Sequence, residues 1–195
     1  PELTLKQMKN IISAAYTKWD ENIFNFYIKK FNLPLNKKIG TLSKGMKMQY
    51  MLSLALSHHA ELLIMDEPTS GLDPLVRLEL IQILRELADK GIGILFSSHI
   101  TSDLEKIADN LVFIHKGIMI FQKSIQEVKN SYFNVEDDLI NLTPENKKLF
   151  LNVVKYRETF KGIYFGNKND IISNFPNAKI ENASLEDIMI GNIYR

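Results

Sequence analysis

The feature that most restricts the fold is a short apolar run that ends in two acids. Residues 62–65 read Leu-Leu-Ile-Met and are followed at once by Asp66 and Glu67. A continuous apolar run of this length is typical of a strand covered on both faces of a parallel sheet. Residues 94–96 (Ile-Leu-Phe) follow an amphipathic pattern over residues 75–90 and predict a second such strand. This order of strand, helix and strand indicates an α/β fold with parallel strands.

The regions on either side of these strands differ in pattern, which suggests a division of the chain. We expect a main domain over residues 1–130, in which 1–50 are helical and 51–130 continue the α/β layers. Residues 131–142 are acidic and show little periodicity, so they are interpreted as a linker. Residues 143–195 are interpreted as a small α/β accessory region.

Composition excludes several classes of function. The 195 residues carry 24 Lys and Arg against 23 Asp and Glu, so no basic surface for nucleic acid is expected. The absence of cysteine excludes disulfides and thiolate metal sites. No apolar run approaches the roughly 18 residues that span a bilayer. A soluble protein is expected, and any connection to a membrane would come through a partner.

The first group of candidate site residues lies at a predicted helix start, at Ser43, Lys44 and Gly45. Backbone amides point outward at a helix start and the helix dipole favours an anion, so phosphate could bind here. The alternative is an ordinary helix capped by Ser43.

The second group lies at the ends of the predicted strands, where ligands of open α/β sheets bind. Asp66 could hold Mg²⁺ through water, and Glu67 could polarise an attacking water molecule. His99 follows the second strand, and its imidazole could hydrogen-bond a phosphate oxygen. The alternatives are a strand that ends in solvent and a structural histidine. Asp73 follows a Ser-Gly turn, and by itself it is expected to be a turn residue or the N-cap of a helix beginning at Pro74.

Together these motifs resemble those of one family. The stretch LLIMDEPTSGLD at residues 62–73 resembles the Walker B segment and D-loop of ATP-binding cassette (ABC) proteins. LSKGM at residues 42–46 resembles their LSGGQ signature, and His99 falls where the family has its switch histidine. The resemblance implies a partial P-loop NTPase-type ABC ATPase fold with parallel strands, a helical subdomain at residues 1–50 and a small carboxy-terminal α/β appendage.

The resemblance also implies partners. In the family, two ATPase subunits, identical or different, close head to tail on two ATP molecules, and each signature contacts the ATP of the other subunit. By this resemblance, Ser43, Lys44 and Gly45 would bind the partner's ATP, and Asp73 would lie at the dimer interface. The helical subdomain would dock on a membrane permease. The subunit would then be cytoplasmic and peripheral on the inner face of the membrane.

For the chain's own site, the resemblance implies ATP with Mg²⁺. Asp66 would serve the metal, through water. Glu67 would be the catalytic base, and His99 would hold the γ-phosphate and the attacking water.

Two departures from the family pattern matter. Lys44 replaces the first glycine of the signature, and Met46 replaces its glutamine. The motif GxxxxGK[ST], whose backbone holds the phosphates of bound nucleotide, occurs nowhere in the sequence. In the family it lies upstream of the stretch that corresponds to residues 1–4, so an amino-terminal truncation is expected. We expect the parent protein to be an ATPase, and this chain alone to bind ATP weakly and not to hydrolyse it.

Three functions compete at this point. The first is the ATP-binding subunit of an ABC exporter, favoured by SGLDP at residues 70–74 and by the accessory region. The second is a soluble ABC ATPase of translation or DNA repair, which usually carries two fused cassettes or long coiled-coil insertions. The third is a non-catalytic interaction fragment.

Overall fold

In a computed structural model that describes residues 2–193, the chain forms two compact units divided between Ile100 and Thr101. Each unit mixes helices with strands. The elements of the first unit are α1 (Leu5–Ala15), α2 (Glu21–Lys30), α3 (Lys44–Ser57), β1 (Leu62–Asp66), α4 (Pro74–Asp89) and β2 (Gly93–Ser97). Those of the second are α5 (Thr101–Ile107), β3 (Asn110–His115), β4 (Ile118–Ser124), α6 (Ile125–Ser131), β5 (Tyr132–Asp138), α7 (Pro144–Lys147), β6 (Phe150–Lys155), β7 (Thr159–Phe165), α8 (Lys168–Asn174), β8 (Lys179–Asn182) and α9 (Leu185–Ile193).

Local capping and long-range hydrogen bonds, among them one from a buried tyrosine, hold the helical part of the first unit. Thr4 and Gln7 form a capping box at the start of α1, in which each side chain accepts from the other's backbone amide. The Tyr50 hydroxyl on α3 donates to the Leu5 carbonyl at 2.7 Å, and Tyr50 is only 3% exposed. Burial raises the pKa of the Tyr50 phenol to about 12. The neutral phenol therefore ties α3 to the first turn of α1.

The tyrosine predicts an alkaline effect on stability. Tyr50→Phe should lower the free energy of unfolding by about 1 kcal/mol at neutral pH, because one buried hydrogen bond is lost. Ionisation of Tyr50 favours the unfolded chain, so its contribution is present below the ordinary pKa of 10 and is lost as pH rises toward about 12. Urea unfolding from pH 8 to 12 should show a shallower alkaline loss in the variant. Tyr16→Phe, at an exposed ring, is the control and should match the parent curve.

The two strands of the first unit pair in parallel, with Asp66 opposite Ser97 in register. The prediction that both strands are covered on both faces is wrong within the described residues. Leu63 is 6% exposed, whereas Ile64 is 72% exposed and Leu95 is 59% exposed. Successive side chains of a strand point to opposite faces, so one face of this sheet packs inward and the other is open.

The second unit contains an antiparallel hairpin, β3–β4, and a four-stranded antiparallel sheet in the order β6-β7-β5-β8. Both faces of the larger sheet are covered. On one face, Tyr132 and Ile163 pack with Ile188 of α9. On the other, Phe133 and Phe160 pack in a separate cluster with helix α8. The four-stranded sheet of this unit therefore has a packed apolar layer on each face.

The linker expected at residues 131–142 is wrong for most of its length, because residues 132–138 form the internal strand β5. The acids that suggested a linker fit the strand: Glu136 is exposed, and Asp137 is buried but hydrogen-bonded. The Asp137 carboxylate accepts from the Asp138 amide at 2.8 Å and from the Asn141 side chain at 3.1 Å. The proposed accessory region thus shares its sheet with residues that precede it.

Candidate active site

Three of the predicted site residues meet at the carboxyl ends of β1 and β2. Asp66 is the last residue of β1, Glu67 follows it, and His99 lies two residues beyond the end of β2. Because parallel strands end at the same edge, the pairing of β1 with β2 brings these side chains together.

Glu67 has an unusual backbone conformation, with φ at +48°. For a residue with a side chain this left-handed geometry costs roughly 1–2 kcal/mol, so surrounding contacts must maintain it. The Glu67 amide donates to the Ser97 carbonyl at 3.2 Å and to the Ser97 hydroxyl at 3.1 Å. The Glu67 carbonyl accepts from the Ser70 amide at 3.1 Å. The chain therefore turns sharply directly after the acid pair.

The Glu67 carboxylate is held by two contacts to His99. Its Oε1 accepts from the His99 backbone amide at 3.1 Å, and its Oε2 lies 2.8 Å from His99 Nδ1. The latter contact is an ion pair when the imidazole is protonated, and Oε2 is buried without a hydrogen-bond partner within residues 2–193. The histidine side chain is 69% exposed, against 34% for the glutamate. The imidazole therefore connects the carboxylate to the solvent side of the site.

Asp66 fits the chemistry expected of a magnesium ligand. Its Oδ1 accepts from the Ser97 hydroxyl at 2.5 Å, and its Oδ2 takes no hydrogen bond within residues 2–193. Over the same residues, no group of three or more His, Asp or Glu side chains is arranged to hold a metal ion. A single carboxylate suits Mg²⁺, which keeps several waters and is completed by substrate phosphates.

The signature residues lie at the start of α3, as predicted, and also have structural roles. The Ser43 hydroxyl accepts from the Met46 amide at 3.2 Å and so caps the helix. A Cβ atom on Gly45 would come within 2.8 Å of a Val76 methyl, so glycine is required where α3 packs on α4. A Cβ on Gly71 would lie 3.4 Å from Lys44 Nζ, so the lysine side chain reaches the turn after the acid pair.

Asp73 also has the structural role that was weighed for it. Its carboxylate accepts from the Leu75 amide at 2.9 Å, and Pro74 occupies the first turn of α4. Within residues 2–193, no hydrogen bond or ion pair joins residues 43–45 to Asp66, Glu67 or His99. The structure thus brings the acid pair and the histidine together and leaves the signature outside that cluster.

One residue of the cluster was missed as a site residue. Ser97 contacts both acids, but its position in the Ser-Ser-His motif marked only the histidine. The signal that could have found it is the strand register: two parallel strands of equal length place Ser97 opposite Asp66.

Comparison with known proteins finds relatives among ABC transporter ATP-binding proteins. The "Uncharacterized ABC transporter ATP-binding protein YhaQ" of Bacillus subtilis is 32% identical over 187 residues, which cover 86% of this chain and 61% of that protein. The homologues and structural neighbours of this chain are ABC transporter ATP-binding proteins. The bacitracin transport ATP-binding protein BcrA of Bacillus licheniformis is 39% identical over 94 residues, 48% of this chain and 31% of BcrA. A family model described as "AAA domain, putative AbiEii toxin, Type IV TA system" matches residues 10–102.

Solved structures support the ABC ATPase fold. The ATP-binding subunit of an ABC transporter aligns with a TM-score of 0.57 at 31% identity, over 66% of this chain and 55% of that one. A metal-chelate type ABC transporter in an inward-facing conformation aligns with a TM-score of 0.58 over 87% of this chain and 68% of that one, at 15% identity, which bears on the fold alone. The chain spans about three fifths of YhaQ and a third of BcrA.

Two further features of the chain are a cavity in the second unit and the character of its helices. A cavity of about 600 Å³ lies in the second unit and is lined by Lys129, Phe133 and Lys168, among others. It contains none of the site residues described above. No helix within residues 2–193 is long and apolar enough to cross a membrane.

Proposed function

We propose that this chain is part of an ATP-hydrolysing subunit that drives export by an ABC transporter. The observation that carries the proposal is the cluster of Asp66, Glu67 and His99 at one sheet edge. Asp66 offers an oxygen for water bound to Mg²⁺, Glu67 offers a carboxylate to attract the proton of an attacking water, and His99 offers an exposed imidazole for a phosphate oxygen. Bound Mg²⁺ would supply charge stabilisation at the phosphates.

A role in transport is supported by the names of the relatives, and export is the direction that we propose. BcrA is named for bacitracin transport, and SrtF of Streptococcus pyogenes, 37% identical over 108 residues, for lantibiotic transport. We extend their role to this chain. A soluble ABC ATPase and a non-catalytic interaction fragment are the alternatives.

The proposal includes two partners. A second ATPase subunit, identical or different, would place its own ATP against Ser43, Lys44 and Gly45, and Asp73 would lie at the subunit interface. A membrane permease would dock on residues 1–50. The subunit would then lie on the cytoplasmic face of the membrane without crossing it. The ATPase part would include the first compact unit, which carries Asp66, Glu67 and His99. The accessory part would include the sheet that β5 shares with β6, β7 and β8.

The proposal also concerns which part of the protein binds ATP. The sequence contains no GxxxxGK[ST], the motif whose backbone amides hold the phosphates and whose lysine reaches the β- and γ-phosphates. We therefore propose that this chain alone binds ATP weakly and does not hydrolyse it. Activity would need the full-length ATPase, meaning a polypeptide that carries this chain together with a phosphate loop.

Calorimetry with MgATP and a phosphate-release assay test the function. The chain alone should give a dissociation constant weaker than about 1 mM and no turnover, because the main phosphate-binding element is missing. The full-length ATPase should bind at micromolar to submillimolar ATP and release phosphate. Submillimolar affinity of the chain alone would contradict the proposal that it binds ATP weakly. A full-length protein that binds ATP without hydrolysing it would favour the non-catalytic alternative.

A further inference from the structure

Ser97 is the one side chain whose hydrogen bonds reach both acids of the site within residues 2–193. Its hydroxyl donates to Asp66 Oδ1 at 2.5 Å and accepts from the Glu67 amide at 3.1 Å. A serine hydroxyl has one proton to donate and two lone pairs to accept, so both bonds can exist at once. An alanine at this position could make neither.

The two acids need such a connection because they are neighbours on a strand. Adjacent strand residues point to opposite faces, so Asp66 and Glu67 would diverge if β1 simply continued. The left-handed turn at Glu67, with φ at +48°, redirects the chain, and the Ser97 hydroxyl shares the Glu67 amide with the Ser97 carbonyl. The same hydroxyl donates to Oδ1 of Asp66, while Oδ2 takes no hydrogen bond within residues 2–193.

We propose that Ser97 is a positioning residue for magnesium-dependent ATP hydrolysis, acting through Asp66 and through the backbone of Glu67. This inference rests on the proposed function. The Ser97 hydroxyl holds the Asp66 carboxylate in one orientation, from which Oδ2 would accept from water bound to Mg²⁺. Its bond to the Glu67 amide helps to maintain the turn from which the Glu67 carboxylate reaches His99. Residues that orient metal ligands typically affect metal affinity or activity about 10–100-fold.

The competing explanation is that Ser97 only joins β1 to β2. The backbone bonds between these strands run from residue 62 to residue 66 and do not need the hydroxyl. A purely structural role would therefore appear as a loss of stability, with no change in the requirement for Mg²⁺. A positioning role would change the metal dependence and turnover together.

The first experiment compares Ser97→Ala, Ser97→Thr and the matched control Ser98→Ala in the full-length ATPase. Ser98 accepts from the Ile100 amide and contacts neither acid. For Ser97→Ala we expect the Mg²⁺ concentration at half-maximal activity to rise severalfold and kcat to fall about tenfold. Nucleotide affinity without Mg²⁺ should stay within about twofold. Ser97→Thr keeps a hydroxyl and should restore both values, and Ser98→Ala should leave them unchanged.

The second experiment needs no turnover and uses the chain itself. Loss of the Ser97 hydroxyl should speed hydrogen exchange of the Glu67 amide severalfold in NMR spectra, and Ser97→Thr should reverse the change. A Ser97→Ala protein with unchanged Mg²⁺ dependence and unchanged exchange at Glu67 would overturn the inference while leaving the proposed function standing. A parent full-length protein without ATPase activity would overturn the proposed function instead, and the positioning role in hydrolysis with it.

Discussion

Replacing Glu67 by glutamine should lower the ATP turnover of the full-length ATPase by about 10²–10⁴-fold, the usual contribution of a general base. Glutamine has nearly the same shape and can still accept from the His99 amide, which lies 3.1 Å from Oε1. It lacks the negative charge that attracts a proton from water. Because the backbone turn at Glu67 depends on amide and carbonyl bonds, the substitution should leave the fold intact.

The measurement is steady-state phosphate release with ATP binding followed in parallel. Binding should stay within a few-fold of the parent, since Glu67 is assigned to the chemical step. Glu61→Gln is the matched control, because Glu61 is exposed and its side chain makes no contact with the site cluster. Turnover above a tenth of the parent value in Glu67→Gln would remove Glu67 from the role of base.

Phe160→Ala should destabilise the second unit by about 3–5 kcal/mol, the range for removing a fully buried phenylalanine. Phe160 is 0% exposed on β7. Its ring centroid lies 5.6 Å from that of Phe150, nearly perpendicular to it, and 5.7 Å from that of Phe175. The substitution would remove these edge contacts and leave a cavity that the surrounding rings cannot fully close.

Urea titration followed through the NMR signals of β5 and β7 provides the measurement. Phe165→Ala is the matched control on the same strand, because its ring is 46% exposed. The Phe165 ring contacts the Tyr132 ring at a tilt of 38°, and the Lys123 ammonium lies 4.5 Å from its centroid, so about 1 kcal/mol should be lost there. Equal losses in the two variants would contradict the assignment of Phe160 to the core.

Several local features could be predicted from the sequence because neighbouring residues determine them. Thr4 and Gln7 have the three-residue spacing of a capping box and start α1, and Ser124 with Glu127 does the same at α6. Asp73 with Pro74 opens α4. Such caps connect groups two or three residues apart, so spacing along the chain is sufficient to find them.

The composition of the acid site could also be predicted, because its residues follow apolar strands and have a fixed order along the chain. Asp66, Glu67 and His99 were expected at one sheet edge, and the structure brings them together there. Their catalytic and metal-binding roles stay predictions until they are tested. The contact of Ser97 with Asp66 was missed because the two residues are 31 positions apart along the chain.

The apolar run at residues 62–65 shows which features a local pattern determines and which depend on tertiary structure. By itself the sequence determined that residues 62–66 form a strand and that the acids stand at its end. Only the tertiary structure decided that Leu63 packs inward while Ile64 is open, because both are apolar and no alternation marks the face. Tertiary structure also decided the state of β5. Its pairing with β7 and β8 stabilises an acidic segment as an internal strand. Strand pairing and side-chain contacts join residues that are far apart along the chain. They are therefore seen only in the folded structure.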